Sequence, residues 1–265
     1  MDRAGLLELV ASEPVVSKLI ELARADSEPT LDVTCPGALR PLVAAALTEQ
    51  SDTPLLVVTS TYREAESARD TLRSLLGTDA VAYYPAWETL PHERLSPRSD
   101  TVGRRLAVLR RLAGNSELAP PRIIVAPVRA VLQPQVAGLG ALTPVTVTVG
   151  EDRDVDDLAV ALVDAAYVRV DLVERRGEFA VRGGIIDVFP PTLEHPVRID
   201  FFGDTVEEIR PFSVADQRSH DETLDQVTAD PCREMLLTDA VRERAAAHAA
   251  RQGVPDQMRE LFTRI

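Results

Sequence analysis

The sequence has little cysteine, and this scarcity excludes a framework stapled by disulfides or held by metal. Its 265 residues include two cysteines, Cys35 and Cys232, which stand far apart in the chain. A disulfide scaffold or a zinc site needs paired or clustered cysteines. We therefore expect two free thiols, a reducing compartment and no metal site.

Long hydrophobic runs are also missing, which argues against a membrane protein. A membrane-spanning helix needs about 18 or more consecutive apolar residues, and no stretch of this sequence approaches that length. The opening residues, MDRAGLLELVASEP, carry an acid early and lack the apolar core of a signal peptide. We expect a cytoplasmic protein with no membrane partner, long enough for about two domains.

Positive charge is in short supply. Lys18 is the single lysine, arginine supplies the rest of the 29 basic residues, and 42 acidic residues bring the formal net charge to −13. A chain of this sign repels DNA phosphates, whose neutralisation dominates nucleic-acid affinity. The chain by itself is therefore not expected to bind DNA strongly. The preference for arginine over lysine is typical of proteins from high-G+C bacteria.

The first half of the chain alternates between strand-like and helical patterns. Helical spacing of apolar residues occurs at 6–23, 39–49, 63–76 and 101–113, and short β-like runs occur at 31–34, 55–60, 80–84 and 123–126. This alternation is typical of an α/β domain, in which helices flank a parallel sheet. A proline-rich stretch at 85–97 interrupts it and is expected to be an excursion from the sheet.

The segment 173–218 predicts two consecutive β-hairpins. In the first, an apolar run at 185–189 follows the Gly183-Gly184 pair, and in the second, the strand at 197–201 turns at Gly203-Asp204. Glycine at the first position of a two-residue turn suits a type II′ hairpin, because it reaches positive φ without steric cost. Together with a strand at 145–149 and helical patterns at 155–166 and 238–251, this region predicts a small α+β domain built on antiparallel hairpins.

Three ordered strings in this region, GEFAVRGGIIDVFPP, RIDFFGD and DQRS, carry a family resemblance. They resemble the second domain shared by the excision-repair helicase UvrB and the transcription–repair coupling factor (Mfd) family, and are more similar to the latter. The resemblance covers nearly the whole chain but only the N-terminal, UvrB-like module of the family's proteins. It implies that the motor, with its ATP and Mg²⁺, and the modules that bind RNA polymerase and DNA belong to other parts of the parent protein.

The resemblance also implies a domain layout. Residues 1–142 would form a degenerate P-loop, RecA/helicase-like domain 1A, with an excursion at about 85–120 that contributes to domain 1B. Residues 143–213 would form a UvrA-binding-like domain 2. Residues 214–265 would be a returning segment that starts the rest of domain 1B.

UvrB carries its phosphate-binding P-loop where this chain has residues 31–40. That loop needs GxxxxGK[ST], in which backbone N–H groups and the lysine bind phosphate and the hydroxyl holds Mg²⁺. Here Asp32 replaces the first glycine, and Pro36 removes a backbone donor. Ala38 and Leu39 replace the lysine and the hydroxyl residue, so that only Gly37 remains. Because phosphoryl transfer depends on positioning and charge stabilisation, we expect this loop to bind no nucleotide.

UvrB also inserts a long, aromatic-rich hairpin between DNA strands in the region that matches 83–100. This chain has a shorter stretch there and keeps Tyr83, Tyr84 and Trp87. Such side chains can stack on bases, but aromatics beside prolines more often pack an excursion onto its own domain, which is the interpretation we favour. Two arginine pairs on the following helix, at 104–105 and 110–111, are expected to form a solvated face rather than a phosphate track.

Both families bind the damage-recognition ATPase UvrA through the second domain, and the resemblance identifies the residues. Arg169 and Arg182 match arginine positions of the UvrB contact surface, whereas Ala180 stands where UvrB often has another arginine. Arginine suits this role because its planar group can donate two hydrogen bonds to one carboxylate. The alternative is that these arginines form ordinary surface ion pairs, each worth less than ~1 kcal/mol. The candidate surface consists of Arg169, Glu178, Arg182, Gly183 and, as a weaker member, Arg210.

The resemblance implies a non-catalytic adaptor that presents this surface to UvrA and so recruits nucleotide excision repair to stalled RNA polymerase. It also implies that a C-terminal domain of the parent masks the surface at rest, and that the full-length parent is an ATP-dependent DNA translocase. No catalytic residue is expected in this segment. Two alternatives stay open: an active UvrB-type helicase subunit, disfavoured by the loop at 31–40, and a structural module whose sheet packs only within the larger protein.

Overall fold

The computed structural model describes residues 3–25, 30–90, 93, 95–251, 253–256 and 259–260. The chain divides into two compact units, one of Met1–Leu90 and Arg104–Ala141, the other of Pro91–Gly103 and Leu142–Ile265. Within the described ranges, no helix is both long enough and apolar enough to cross a membrane.

The first unit is built on a three-stranded parallel sheet in the order β1-β3-β2. Its strands are β1 (Leu55–Thr59), β2 (Val81–Tyr83) and β3 (Ile123–Pro127). Its helices are α1 (Arg3–Ser12), α2 (Pro14–Ala25), α3 (Arg40–Glu49), α4 (Tyr62–Leu76), α5 (Ser99–Leu112) and α6 (Val128–Leu132). The division between the two units falls within α5. The predicted α/β alternation is therefore confirmed for three of its four strands.

Strand β3 lies at the centre of this sheet because it is apolar on both faces. All five of its residues are buried. Ile123 and Val125 pack with residues of α4, whereas Ile124 and Ala126 pack with residues of α5 and α6. A parallel strand that is covered on both faces reads as a continuous hydrophobic run rather than an alternating one.

Helix α4 has well-defined ends. The Thr61 hydroxyl accepts a hydrogen bond from the Glu64 amide at 3.2 Å, and the Glu64 carboxylate accepts one from the Thr61 amide at 3.2 Å. This capping box satisfies two amides that a helix start otherwise leaves without partners. The helix ends at Gly77, whose φ of 93° and ψ of 158° are open almost only to glycine.

Two secondary-structure predictions in this unit were wrong. The segment 31–34 is irregular rather than a strand, and three of its four side chains are exposed. The single helix predicted at 6–23 is two helices, because Pro14 has no amide to continue the first one. The Glu13 carboxylate instead accepts hydrogen bonds from the amides of Val15 and Val16, and so starts α2.

The second unit is built on a five-stranded sheet in the order β5-β6-β7-β8-β9 and on a separate antiparallel pair, β4 with β10. Strand β5 runs parallel to β6, and the other neighbours are antiparallel. The elements are β4 (Val145–Thr148), α7 (Val155–Asp164), β5 (Val168–Arg169), β6 (Glu178–Arg182), β7 (Ile185–Val188), β8 (Val197–Phe202), β9 (Thr205–Pro211), β10 (Gln226–Ala229) and α8 (Asp239–Ala249).

Both predicted hairpins are confirmed. Strands β6 and β7 are joined by Gly183-Gly184, and β8 and β9 by Gly203-Asp204. Gly183 has φ 60° and Gly203 has φ 63°, and the second residue of each turn has no positive φ. Positive φ at the first turn residue alone matches the type II′ pattern, which suits the right-handed twist of the strands.

Cys232 is buried in the core of the second unit. This side chain is 4% exposed among apolar residues that include Leu158 and Phe179. Burial raises the pKa of its thiol to about 12. Because the thiolate is the reactive form, Cys232 should be inert in the folded protein, whereas Cys35 is only partly buried.

We expect a disulfide-exchange reagent at mildly alkaline pH to modify Cys35 readily in the native protein and Cys232 only after unfolding in guanidinium chloride. A Cys35→Ser variant should lose the reaction in the native state and keep the one seen on unfolding. Two rapidly reacting thiols in the native wild-type protein would contradict the packing described here.

Candidate partner-binding surface

The register of the five-stranded sheet separates an apolar face from a charged one. Residues that pair across antiparallel strands share a face, and alternate residues of one strand lie on opposite faces. One face carries Phe179, Val181, Ile186, Val188, Val197, Ile199 and Ile209, all but Val181 fully buried in the core. The opposite face, named here the outer face, carries two cross-strand rows: Ala180, Asp187, Arg198 and Arg210, then Arg182, Ile185, Asp200 and Glu208.

An ion pair and a small apolar cluster cover part of the first row of the outer face. The Asp187 carboxylate, 2% exposed, accepts hydrogen bonds from Arg198 Nε at 2.7 Å and Nη2 at 2.9 Å. This bond raises the pKa of the Arg198 guanidinium. The same guanidinium stacks over the Phe212 ring, 5.0 Å from its centroid, and Phe212 packs with Val173, Ala180 and Phe189.

Gln217 joins the chain before β6 to the chain after β9. Its side-chain amide donates to the carbonyls of Val214, at 3.0 Å, and Val173, at 3.3 Å. The residue adopts φ 61°, a left-handed conformation that is uncommon outside glycine. The chain before β6 and the chain after β9 are thereby tied together over the part of the first row that holds Ala180 and Asp187. In the second row, Arg182 is exposed and Ile185, Asp200 and Glu208 are half-buried.

The charge of Arg210 is largely neutralised within the sheet. Its Nε lies 3.1 Å from a Glu208 carboxylate oxygen and its Nη2 lies 3.7 Å from one of Asp200. Its side chain is 36% exposed. Of the residues predicted for the surface, Arg210 is therefore the one whose charge is most engaged by neighbouring carboxylates.

Arg182, at the end of β6, is oriented by a backbone carbonyl rather than by a carboxylate. Its guanidinium donates a hydrogen bond to the backbone carbonyl of Asp171. A carbonyl fixes the direction of an arginine but leaves its full positive charge for another group. The side chain is exposed and begins the second row of the outer face.

Arg169 lies near Arg182 but on the opposite face of the sheet. It pairs in register with the core residue Phe179, so it stands at the edge strand β5 on the apolar side, and it is exposed. Arg169 and Arg182 nevertheless line one groove of about 510 Å³, together with Val170, Asp171 and Val181. The structure thus brings the two predicted arginines together at the ends of β5 and β6.

Glu178 and Gly183 support this groove rather than adding charge to it. The Glu178 carboxylate accepts hydrogen bonds from the amides of Glu174, at 2.9 Å, and Arg175, at 2.8 Å, and so fixes the loop that enters β6. Gly183 supplies the left-handed turn residue next to Arg182. Phe202, which the sequence analysis did not single out, lies on the outer face at the end of β8 and is 78% exposed.

The segment 31–40, for which the family resemblance predicts a degenerate P-loop, is an irregular stretch followed by a short turn. Residues 30–36 are irregular, Gly37–Leu39 form a single 3₁₀ turn in which the Leu39 amide donates to Pro36 O at 2.9 Å, and α3 starts at Arg40. Asp32, Pro36, Ala38 and Leu39 are exposed. Gly37 has an ordinary φ, and a Cβ at this position would meet no atom within 4 Å. The one residue kept from the motif is therefore not required there by backbone conformation or space.

The aromatic residues of the excursion pack against an arginine. Arg105 is fully buried, with its guanidinium carbon 4.3 Å from the Tyr84 ring centroid and 5.0 Å from that of Trp87. Its Nη1 donates to the Pro85 carbonyl at 2.9 Å. The prediction that the arginine pair at 104–105 lies on a solvated helix face was wrong for Arg105. Its guanidinium contacts two aromatic rings and a carbonyl instead of water.

Comparison with known proteins assigns the sheet to a class. Residues 145–234 match the family model described as the UvrB interaction domain, and they include β4 to β10 and α7. The chain therefore contains a UvrB-type interaction domain.

Most of the chain is similar to proteins named transcription-repair-coupling factors. It is 53% identical over 253 residues to the transcription-repair-coupling factor of Mycobacterium tuberculosis, 39% over 216 residues to that of Myxococcus xanthus and 37% over 211 residues to that of Bacillus subtilis. These matches cover 94%, 80% and 79% of this chain but 20%, 17% and 17% of the relatives. The chain belongs to the transcription–repair coupling factor family and spans about one fifth of the length of these relatives.

The closure of the outer face can be tested at Asp187. An Asp187→Ala substitution leaves the Arg198 charge without its carboxylate, and we expect it to cost about 3 kcal/mol in the free energy of unfolding. Urea denaturation followed by circular dichroism measures this loss. Asp70→Ala, which removes a 65% exposed partner of Arg69, is the matched control and should leave the unfolding curve unchanged. Equal stability of the two variants would contradict the role given to the pair.

The conformation of the segment 31–40 can be tested with two glycines of the same unit. Gly37→Ala should raise the free energy of unfolding by about 0.4–1 kcal/mol, since alanine fits the native φ and restricts the unfolded chain. Gly77→Ala should destabilise by about 1–3 kcal/mol, because its φ and ψ are open almost only to glycine. Fluorescence of Trp87, the single tryptophan, reports urea unfolding of this unit. A large loss at Gly37 would show that the loop depends on its glycine.

Proposed function

We propose that this chain is a docking module that binds UvrA through the five-stranded sheet of its second unit, in transcription-coupled nucleotide excision repair. The observation that carries the proposal is the match of residues 145–234 to the UvrB interaction domain, which spans every strand of that sheet. The relatives are named as transcription-repair-coupling factors, which supports the same process.

The chemistry of the surface fits a protein partner that offers carboxylates. Arg169 and Arg182 line one groove at the strand ends, and an arginine can form two parallel hydrogen bonds with a carboxylate. Both belong to strands of a hydrogen-bonded sheet, so little backbone conformational entropy is lost when a partner binds. We assign Arg182 the larger contribution, because its carbonyl partner orients the guanidinium without neutralising it.

The module acts as an adaptor and not as a catalyst in this proposal. We treat the first unit as a degenerate RecA-like domain: its parallel sheet is supportive, and the loop at 31–40 lacks the lysine and hydroxyl that bind phosphate and Mg²⁺. ATP, Mg²⁺, DNA and RNA polymerase would be bound by other parts of a longer parent translocase. A C-terminal domain of that parent would cover the arginine groove until repair is needed.

The proposal predicts that charge reversal at the groove abolishes UvrA binding. Arg182→Glu and Arg169→Glu should each weaken binding by about tenfold or more, as expected for arginines at an interface centre, and the double variant should show no binding by calorimetry. Because the two residues lie on different faces of the sheet, a partner that contacts only the outer face would respond to Arg182→Glu alone.

Arg63→Glu is the matched control, since it makes the same change of charge at an exposed position in the first unit. It should bind UvrA like the wild type. Absence of binding by the wild-type chain, or full binding by the folded double variant, would contradict the proposal.

A further inference from the structure

The end of strand β8 carries an aromatic side chain that does not pack in the core of the unit. Phe202 is 78% exposed, whereas Phe179, Phe189 and Phe212 are buried and Phe201 is half-buried against the core. Aromatic residues are enriched at protein–protein interfaces relative to the rest of the protein surface. Phe202 therefore differs from every other described phenylalanine of the chain.

The hairpin tip that carries Phe202 is held firmly. Phe202 pairs with Thr205 across the turn, and the Thr205 hydroxyl donates to the Asp152 carboxylate at 2.8 Å. The neighbouring segment adds backbone hydrogen bonds from Arg153 N to Asp204 O, at 2.6 Å, and from Gly150 N to Val206 O, at 2.8 Å. The backbone that carries the ring is therefore ordered before a partner binds, which lowers the entropy cost of binding.

Phe202 lies on the same face and at the same end of the sheet as Arg182. Asp200 and Phe202 are alternate residues of β8, and Asp200 lies in the second row of the outer face with Ile185 and Arg182. The Phe201 amide donates to Gly184 O at 2.8 Å, which joins the two hairpin tips. Two strand spacings and two residue rises place the Cα atoms of Phe202 and Arg182 about 12 Å apart, well within one interface of ordinary size.

The charges around Phe202 favour a protein over a nucleic acid as its partner. Asp152, Asp204 and Glu207 are exposed at or beside this hairpin. These carboxylates repel a phosphate backbone, so stacking of the ring on a DNA base is disfavoured. They suit instead an apolar protein pocket whose rim is neutral or basic.

We infer that Phe202 is the apolar anchor of the surface whose charged member is Arg182. This inference rests on the proposed function, since it assigns the ring to an apolar pocket on UvrA beside the acidic site that receives the arginine. Enclosed aromatic side chains flanked by charged contacts carry a large share of the affinity in many interfaces. The part of the outer face that runs from Arg182 to Phe202 is then one continuous contact.

Calorimetry of UvrA binding by single variants of the whole chain tests the inference. Phe202→Ala should weaken binding by about tenfold or more, whereas Phe202→Leu, which keeps most of the apolar area, should stay within about threefold of the wild type. Val160→Ala, which truncates another exposed apolar side chain of the same unit, on α7, is the control and should bind normally. Circular dichroism of each variant checks that the fold is kept.

The outcomes separate the inference from the function on which it rests. If Arg182→Glu abolishes binding and Phe202→Ala binds like the wild type, the inference is overturned and the docking function stands. If the wild-type chain does not bind UvrA, both are overturned. If sedimentation shows that the wild-type chain self-associates and Phe202→Ala is monomeric, a second copy occupies the ring and the inference is again overturned.

Discussion

The ion pair between Asp187 and Arg198 determines which part of the sheet can meet a partner. Its carboxylate is almost fully buried and takes two hydrogen bonds from one guanidinium, while that guanidinium stacks on Phe212. Around this pair the chain before β6 and the chain after β9 close over the first row of the outer face, joined by the Gln217 side chain. In the second row, Arg182 lies outside this closure and is exposed. The position of the candidate surface therefore depends on a contact that belongs to the interior.

The arginines of this sheet have different roles because they have different partners. Arg198 is bound by a buried carboxylate, and Arg210 lies between two partly exposed ones, so both charges are balanced within the sheet. Arg182 is held by a backbone carbonyl, which sets its direction and leaves its charge available. In a chain of net charge −13, such a local positive group can still attract an acidic protein surface. The same overall charge opposes binding of the whole chain to DNA.

Much of the fold could be predicted because local chemistry agrees with it. The Gly183-Gly184 and Gly203-Asp204 turns indicate two-residue hairpins, and the alternation around them indicates which residues face the core. The strand predicted at 31–34 was wrong because a short run such as LDVT forms a strand only beside a partner strand, which periodicity does not reveal. Arg105 was also misjudged, since helical spacing cannot show that Tyr84 and Trp87 stack on it. Arg169 and Arg182 came from family resemblance. The alternation that places Phe201 on the core face also places Phe202 on the opposite face, but alternation does not show that an exposed residue lies near Arg182.

Hydrogen–deuterium exchange of this chain with and without UvrA tests most directly the claim that the second row and the arginine groove form the docking surface. The account predicts that UvrA slows exchange at residues 168–171 and 178–186 and at the β8–β9 turn around 202–205, with the first unit unchanged. Protection confined to the first unit, or spread over α7 and α8 without the two hairpin tips, would contradict it.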